Sequence, residues 1–166
     1  MGITVFVTRD FDHMSEVAAD LVIKTTIKTI KNKKEAVLGL ATGNSPTGLY
    51  KHFAKAANSG QFDAGRIRSF NLDEYVGLPG DNVQQRVMHP ESYAYFMIQE
   101  LFGHLNKKFI ETRVPYGSLI DQKTLVKELK ENKNDWEFKG TDAGKSIAIK
   151  SKPASAYLAW IRKEIL

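Results

Sequence analysis

No cysteine occurs among the 166 residues, which excludes disulfides and thiolate chemistry. That absence fits a reducing compartment, and a cytoplasmic protein is expected. Long apolar runs are missing too: none approaches the roughly twenty residues that a membrane helix needs. The residues after Met1 carry no leader pattern, so neither membrane insertion nor secretion is expected. Positive charge is in modest excess, with 24 Lys and Arg against 19 Asp and Glu, and it is spread along the chain. No block resembles a nucleic-acid-binding arm; the excess suits an anionic small molecule as well as a polyanion, and no nucleic-acid partner is expected. His13, His52, His89 and His104 show no metal-ligand spacing, and no metal is assigned.

What remains is a globular composition, 42% hydrophobic and 26% charged, long enough for one domain over residues 1–166 with a real core. The chain is organised around Glu35 to His52. Ala36 to Leu40 is a short, continuous apolar run bounded by turn residues, the pattern of a buried strand. Thr42, Gly43 and Asn44 make a tight loop, Ser45 sits where an N-cap belongs, and Pro46 sits at the first helical position. Leu49, Tyr50 and Phe53 follow at helical spacing. A strand, a small-residue loop and a fresh helix start aim several backbone N–H groups at one spot, which favours an anion. The same residues also serve simply to turn a corner and cap a helix. Two familiar motifs are excluded: the glycines are one residue too far apart for a nucleophile elbow, and the Gly-Lys-Ser/Thr ending of a P-loop is absent.

Ahead of this stretch, Ile3 to Val7 reads as a short strand. A helix follows, capped by Asp12 or Ser15, with Val17, Leu21, Ile27 and Ile30 on its apolar face and Lys24, Lys28 and Lys31 in water. Lys31 to Lys34 reads as a turn. Beyond the loop, the pattern predicts a helix from Pro46 to about Ala57 and a strand from Ile67 to Leu72. Strand–helix–strand spacing of this kind predicts an α/β fold: a doubly wound, mainly parallel, Rossmann-like sheet with helices on both faces. Ligands of such sheets gather at the carboxyl ends of the strands. Asp73 and Glu74 come directly off such an end, followed by Tyr75 and a Gly-Leu-Pro turn. A carboxylate there serves as a general base, or as no more than a helix cap or surface acid. Gly80 to Met88 reads as a polar, flexible loop whose composition permits a lid. His89-Pro-Glu-Ser-Tyr93 leads into a helix with Tyr95, Phe96, Ile98, Leu101 and Phe102 as core; His89 is positioned to cap that helix or to touch a ligand.

Taken together, Leu38 to Tyr50, Phe70-Asn-Leu-Asp-Glu-Tyr-Val-Gly-Leu-Pro79 and His89 to Tyr93 resemble the glucosamine-6-phosphate deaminase (isomerase) family, over roughly the first two-thirds of the chain. The 6-phosphogluconolactonases of the same superfamily share the loop, whereas the Asp-Glu-Tyr-Val-Gly-Leu-Pro run looks like that of the deaminase branch. The resemblance implies that Thr42, Gly43, Asn44 and Ser45 hold the 6-phosphate of a sugar, and that Asp73 moves a proton between C1 and C2 of the open-chain form. Glu74 is placed with Asp73 as a candidate catalytic acid, and Tyr75 and His89 as candidate substrate contacts. The reaction implied converts glucosamine 6-phosphate to fructose 6-phosphate and ammonia, without an organic cofactor.

The chain also departs from the family. Its members are longer, and a later Asp-Gly-His-Ile-Ala-Phe-Asn-Glu-Pro loop supplies their ring-opening histidine; here no histidine follows His104. The divergent part, residues 112–166, reads as a turn-rich connection from Thr112 to Ser118. A charged helix follows from Gln122 to about Asn132, capped by Asp121, with Leu125, Val126 and Leu129 inward. Gly140 to Ser146 has its glycines four apart where a P-loop needs five, and reads as a turn before a strand-like Ile147 to Lys150. A final amphipathic helix, Ala154 to Ile165, exposes aromatics suited to covering a sheet or a partner chain. Three readings stand: a short sugar-phosphate enzyme, deaminase-like or 6-phosphogluconolactonase-like; a non-catalytic sugar-phosphate-binding module; or a remnant completed by a partner. A homo-oligomer is expected, because half of a doubly wound sheet exposes an edge and an apolar face.

Overall fold

The protein is described from a computed structural model covering residues 2–141 and 144–165. The chain forms two compact units. One holds the residues up to Leu72 together with Tyr93–Val114; the other holds Asp73–Ser92 and the residues from Pro115 onward.

The first unit begins without regular structure. Ile3 to Val7, expected as a strand, pairs with no strand among the described residues, and Ile3 and Val7 are 92% and 91% exposed. Its β-rich composition is not enough, because a strand exists only against a neighbour. Helix α1 (Phe11–Lys33) is capped by Asp10, whose carboxylate accepts the His13 N–H at 2.8 Å. The expected caps lie elsewhere: Asp12 sits in the first turn and Ser15 is buried. The inward stripe is Ser15, Ala19, Ile23 and Thr26, while Leu21 and Ile27 face outward, one step round the helix from the face the apolar residues suggested. Lys24, Lys28 and Lys31 are exposed as expected. The helix runs through the anticipated turn to Lys33 and ends on Lys34, whose positive φ of 68° gives the left-handed stop common at helix ends.

Strand β1 (Ala36–Leu40) has the bounds read from the sequence. Helix α2 (Thr47–Asn58) carries the chain to β2 (Ile67–Asn71), and α4 (Tyr93–Glu100) lies on the way to β3 (Glu111–Arg113). The three strands are parallel in the order β1-β2-β3, with Leu40 opposite Asn71 and Phe70 opposite Arg113. Thr112 and Arg113, expected in an irregular connection, therefore belong to the sheet. The α/β, Rossmann-like class stands, on a shortened parallel sheet.

Alternate residues decide the faces. Ala36, Leu40, Ile67, Ser69 and Asn71 are buried, and the core they help form takes in Ala19 and Ile23 of α1, Tyr50 and Phe53 of α2, and Met97 with Leu101. Phe53 packs on Phe62 with ring centroids 4.8 Å apart and the rings tilted by 50°, and it meets Phe109 edge-on at 6.4 Å. The opposite face carries Val37, Phe70 and Leu72, all exposed. Charges cross it: Arg68 pairs with Glu35 at 3.0 Å and with Glu111 at 2.9 Å, and Arg113 lies over the Phe70 ring at 5.8 Å. Glu111 is held below the ordinary carboxylate range by Arg113 and Arg68.

In the second unit, the polar stretch after Gly80 contains a short helix, α3 (Val83–Val87), capped by the side chain of Asn82; the expected flexible loop is thus partly helical. Helix α5 (Gln122–Glu131) has the predicted Asp121 cap. Leu125 and Leu129 face a small core around Ile120, Leu158 and Ile161, whereas Val126 is 43% exposed rather than inward. The run with P-loop-like glycines is the tip of a hairpin: β4 (Trp136–Thr141) pairs antiparallel with β5 (Gly144–Ile149), Thr141 opposite Gly144. Asp142 and Ala143 lie outside the described residues. Helix α6 (Ala156–Ile165) starts two residues later than expected. Ser155 precedes it, its hydroxyl accepting the Leu158 N–H while its own N–H donates to Asp135 Oδ2 at 2.7 Å.

Candidate functional site

Within the first unit, the chain leaves β1 at Leu40 and enters the loop Thr42–Ser45. Gly43 holds a positive φ of 97°, a conformation that side chains disfavour, and this turns the chain sharply toward α2. Asn44, whose carbonyl accepts the Thr47 N–H at 3.3 Å and the Thr47 hydroxyl at 2.9 Å, closes the turn. Helix α2 starts one residue later than predicted. Pro46 stands at the cap in a helical conformation, and no side chain among the described residues, Ser45 included, caps the helix. Among the described residues nothing accepts from the N–H groups of Gly48 and Leu49. Gly43, Asn44 and Ser45 are exposed and Thr42 half-buried. A twelve-residue helix thus presents bare amides and its positive end beside an open loop, a local field that attracts an anion.

Two residues outside the predicted set build this loop. Tyr50, which the spacing marked only as core, donates its hydroxyl to the Ala41 carbonyl at 2.5 Å and ties α2 to the residue just before the loop. Its burial pushes the phenol up to about 12. Gly48 lets α2 approach α1: a Cβ there would stand 2.2 Å from Ser15 Oγ. Its place directly behind Thr47 in the small-residue loop was the signal available.

Among the second unit's residues, Asp73 is exposed, and no hydrogen bond or ion pair to it is found among the described residues. Its neighbour differs. Glu74 Oε2 accepts the hydroxyl of the fully buried Ser92 at 2.7 Å, and its Oε1 accepts the Tyr75 N–H at 2.8 Å. The two carboxylates are chemically distinct: Glu74 is a fastened acceptor, while Asp73 is open to a reacting group. Tyr75 is 50% exposed. His89 accepts the Glu91 N–H on Nδ1 at 3.2 Å and so shapes the turn before α4. Behind the Asp73–Pro79 loop, Gly117 accepts the Gly77 N–H at 3.1 Å, and a Cβ on Gly117 would come within 2.8 Å of the Glu74 carbonyl. Ser92 and Gly117 were not singled out from the sequence; Ser92 lay inside the His-Pro-Glu-Ser run, and Gly117 carried no local sign. Arg86 donates to the Gly80 and Leu119 carbonyls and faces Asp121 at 3.8 Å, closing a cavity of about 370 Å³ along Gly77–Gly80. No group of three or more His, Cys, Asp or Glu that could hold a metal ion occurs among the described residues.

A parallel α/β sheet with a glycine-turned loop and an open helix start defines a Rossmann-like protein that presents a carboxylate just past a strand end. No protein-family model matches the chain. A glucosamine-6-phosphate deaminase of Clostridium perfringens is 45% identical over 111 residues, 67% of this chain and 41% of that protein. Its counterpart in Clostridium beijerinckii is 40% identical over 138 residues, 83% of this chain and 50% of that one. A monomeric glucosamine-6-phosphate deaminase of solved structure superposes with a TM-score of 0.57 at 29% identity, over 78% of this chain and 49% of that one. A 6-phosphogluconolactonase from Thermotoga maritima, at 18% identity and a TM-score of 0.55, shares the fold. The chain is therefore a relative of the glucosamine-6-phosphate deaminases, and it spans half of their length or somewhat less. No helix among the described residues is long and apolar enough to cross a membrane.

Proposed function

We propose that this chain binds a sugar phosphate and carries out deaminase-type proton transfer, converting glucosamine 6-phosphate and water to fructose 6-phosphate and ammonia. The observation that carries the reading is one of register. Leu40 and Asn71 face each other across β1 and β2, and the anion loop and Asp73 each begin two residues beyond them. The loop Thr42–Ser45 and the bare amides of α2 take the phosphate. Asp73, with its carboxylate unengaged, removes the C2 proton of the open-chain sugar, which the neighbouring aldehyde has already acidified, and returns it to C1. Water then hydrolyses the resulting C2 imine to the ketone and releases ammonia. A positioned base contributes about 10²- to 10⁴-fold to such a step, and the phosphate anchor holds the reacting carbon in place. Glu74, held by Ser92 and by the Tyr75 amide, orients the loop, with Tyr75 and His89 as substrate contacts. No organic cofactor enters this chemistry, and the active form is a cytoplasmic homo-oligomer.

Ring opening is assigned to no residue of the chain: the proposal covers the phosphate anchor and the proton transfer. A second reading, a sugar-phosphate-binding module without turnover, rests on the chain's spanning half or less of the deaminases' length. Likeness to the lactonase is one of fold and supports no lactone hydrolysis. Ammonia release from glucosamine 6-phosphate by the purified chain decides between the two main readings, with Asp73→Asn as control. Release that disappears in the variant supports the enzyme; no release from folded protein that still binds the sugar phosphate supports the module.

A further inference from the structure

Of the sheet's two edges, β3 is the guarded one: it is three residues long and two of them, Glu111 and Arg113, are charged. Short length and charge are the usual protections of a free edge. The β1 edge has neither. Its five residues, Ala36-Val-Leu-Gly-Leu40, include no charge and no proline, and Val37 is 63% exposed. Beside it, α1 and β1 enclose a groove of about 280 Å³ whose helix wall is Leu21, Val22, Thr25, Thr26 and Thr29. Thr25 and Thr29 return their hydroxyls to the carbonyls of Leu21 and Thr25, each at 2.8 Å, so their polar atoms are satisfied within the helix. With Leu21 and Val22 they make the groove wall mostly apolar; the Thr26 hydroxyl, buried and without a hydrogen-bond partner among the described residues, is the exception.

We propose that β1 is the seat of a second copy of this chain: two β1 strands pair antiparallel about a two-fold axis at Leu38, joining two three-stranded sheets into one of six. The strand is self-complementary in this register. Ala36 falls opposite Leu40 of the copy and Val37 opposite Gly39, so like charges face each other nowhere along the pairing. Gly39 is open, with no atom within 4 Å of where its Cβ would stand, and its partner in β2 is Phe70. The Val37 side chain of the copy fills that gap and meets Phe70 across it. This covers two residues that are 63% and 41% exposed in the single chain. The axis lies perpendicular to the sheet, so the two α1 helices come together on one side and Leu21 approaches Thr29 of the copy. A two-fold contact uses the same patch twice and closes on itself, so assembly stops at two chains.

The test uses the full chain. Light scattering at micromolar concentration is expected to give twice the mass of one chain. Val37→Lys, at an exposed position, is expected to loosen the dimer at least tenfold while leaving the thermal unfolding of the single chain unchanged. The native chain has no cysteine, so oxidation of the double variant Val37→Cys with Gly39→Cys is expected to form a covalent dimer that neither single variant forms in comparable yield. A monomeric native chain overturns the proposal, as does a dimer indifferent to Val37→Lys. Loss of the dimer on Val5→Lys also overturns it, because the exposed N-terminal segment would then be the occupant of the β1 edge.

Discussion

The Tyr50 hydroxyl donates to the Ala41 carbonyl at 2.5 Å, and this single bond joins the first turn of α2 to the entrance of the anion loop. Tyr50→Phe removes it without emptying the core. A net loss of about 0.5–1.5 kcal/mol in stability is expected from the missing bond, with sugar-phosphate binding weakened about fivefold or more as the loop loosens. Chemical denaturation and a binding titration check the two effects.

The same phenol makes an alkaline prediction. Its folded value, about 12, lies above the ordinary value of 10, so the folded state holds the proton more tightly than the unfolded one. The stabilisation is whole below pH 10 and is lost as pH rises from 10 through about 12. Thermal unfolding across that window is expected to fall more steeply in the native protein than in Tyr50→Phe.

Gly43 turns the loop with a φ of 97°. Gly43→Ala meets no steric neighbour within 4 Å, so its cost is purely conformational, about 1–3 kcal/mol. Binding of inorganic phosphate or a sugar phosphate is expected to weaken with it, read by isothermal titration alongside the melting temperature.

Phe53 anchors the first unit, 2% exposed and touching Phe62 and Phe109. Phe53→Ala is expected to cost about 3–5 kcal/mol through lost burial and the cavity left behind. Urea denaturation followed by circular dichroism is the measurement.

Asp135 accepts the N–H groups of Ala154 and Ser155, and these bonds hold its carboxyl below the ordinary range. A lowered folded value means stability that is present above about pH 3.9, the ordinary aspartate value, and is lost as pH falls through the lower folded one. Melting curves from pH 6 to pH 2 are expected to show a shallower acid decline for Asp135→Asn than for the native chain.

Much of this was legible from residue order alone. The bounds of β1, the parallel sheet, the Asp121 cap and the glycine-turned loop follow from short-range chemistry: apolar runs, capping oxygens and the φ freedom of glycine. Asp10 took the α1 cap from Asp12 because the chain is still extended at Asp10, and only an extended residue can fold its carboxylate back onto the first free amides. Val126 and Leu21 face outward because an apolar residue is buried only if something covers its side of the helix.

What the sequence by itself determined is local: which segments turn, which carry an apolar period, and where an unpaired amide would meet a small-residue loop. Only the tertiary structure decided which of two adjacent carboxylates is fastened and which is open, because Ser92 is eighteen residues from Glu74. It also decided that Ile3 to Val7 forms no strand despite its composition. A strand's hydrogen bonds all go to another segment, so its existence depends on a neighbour that no local pattern can supply.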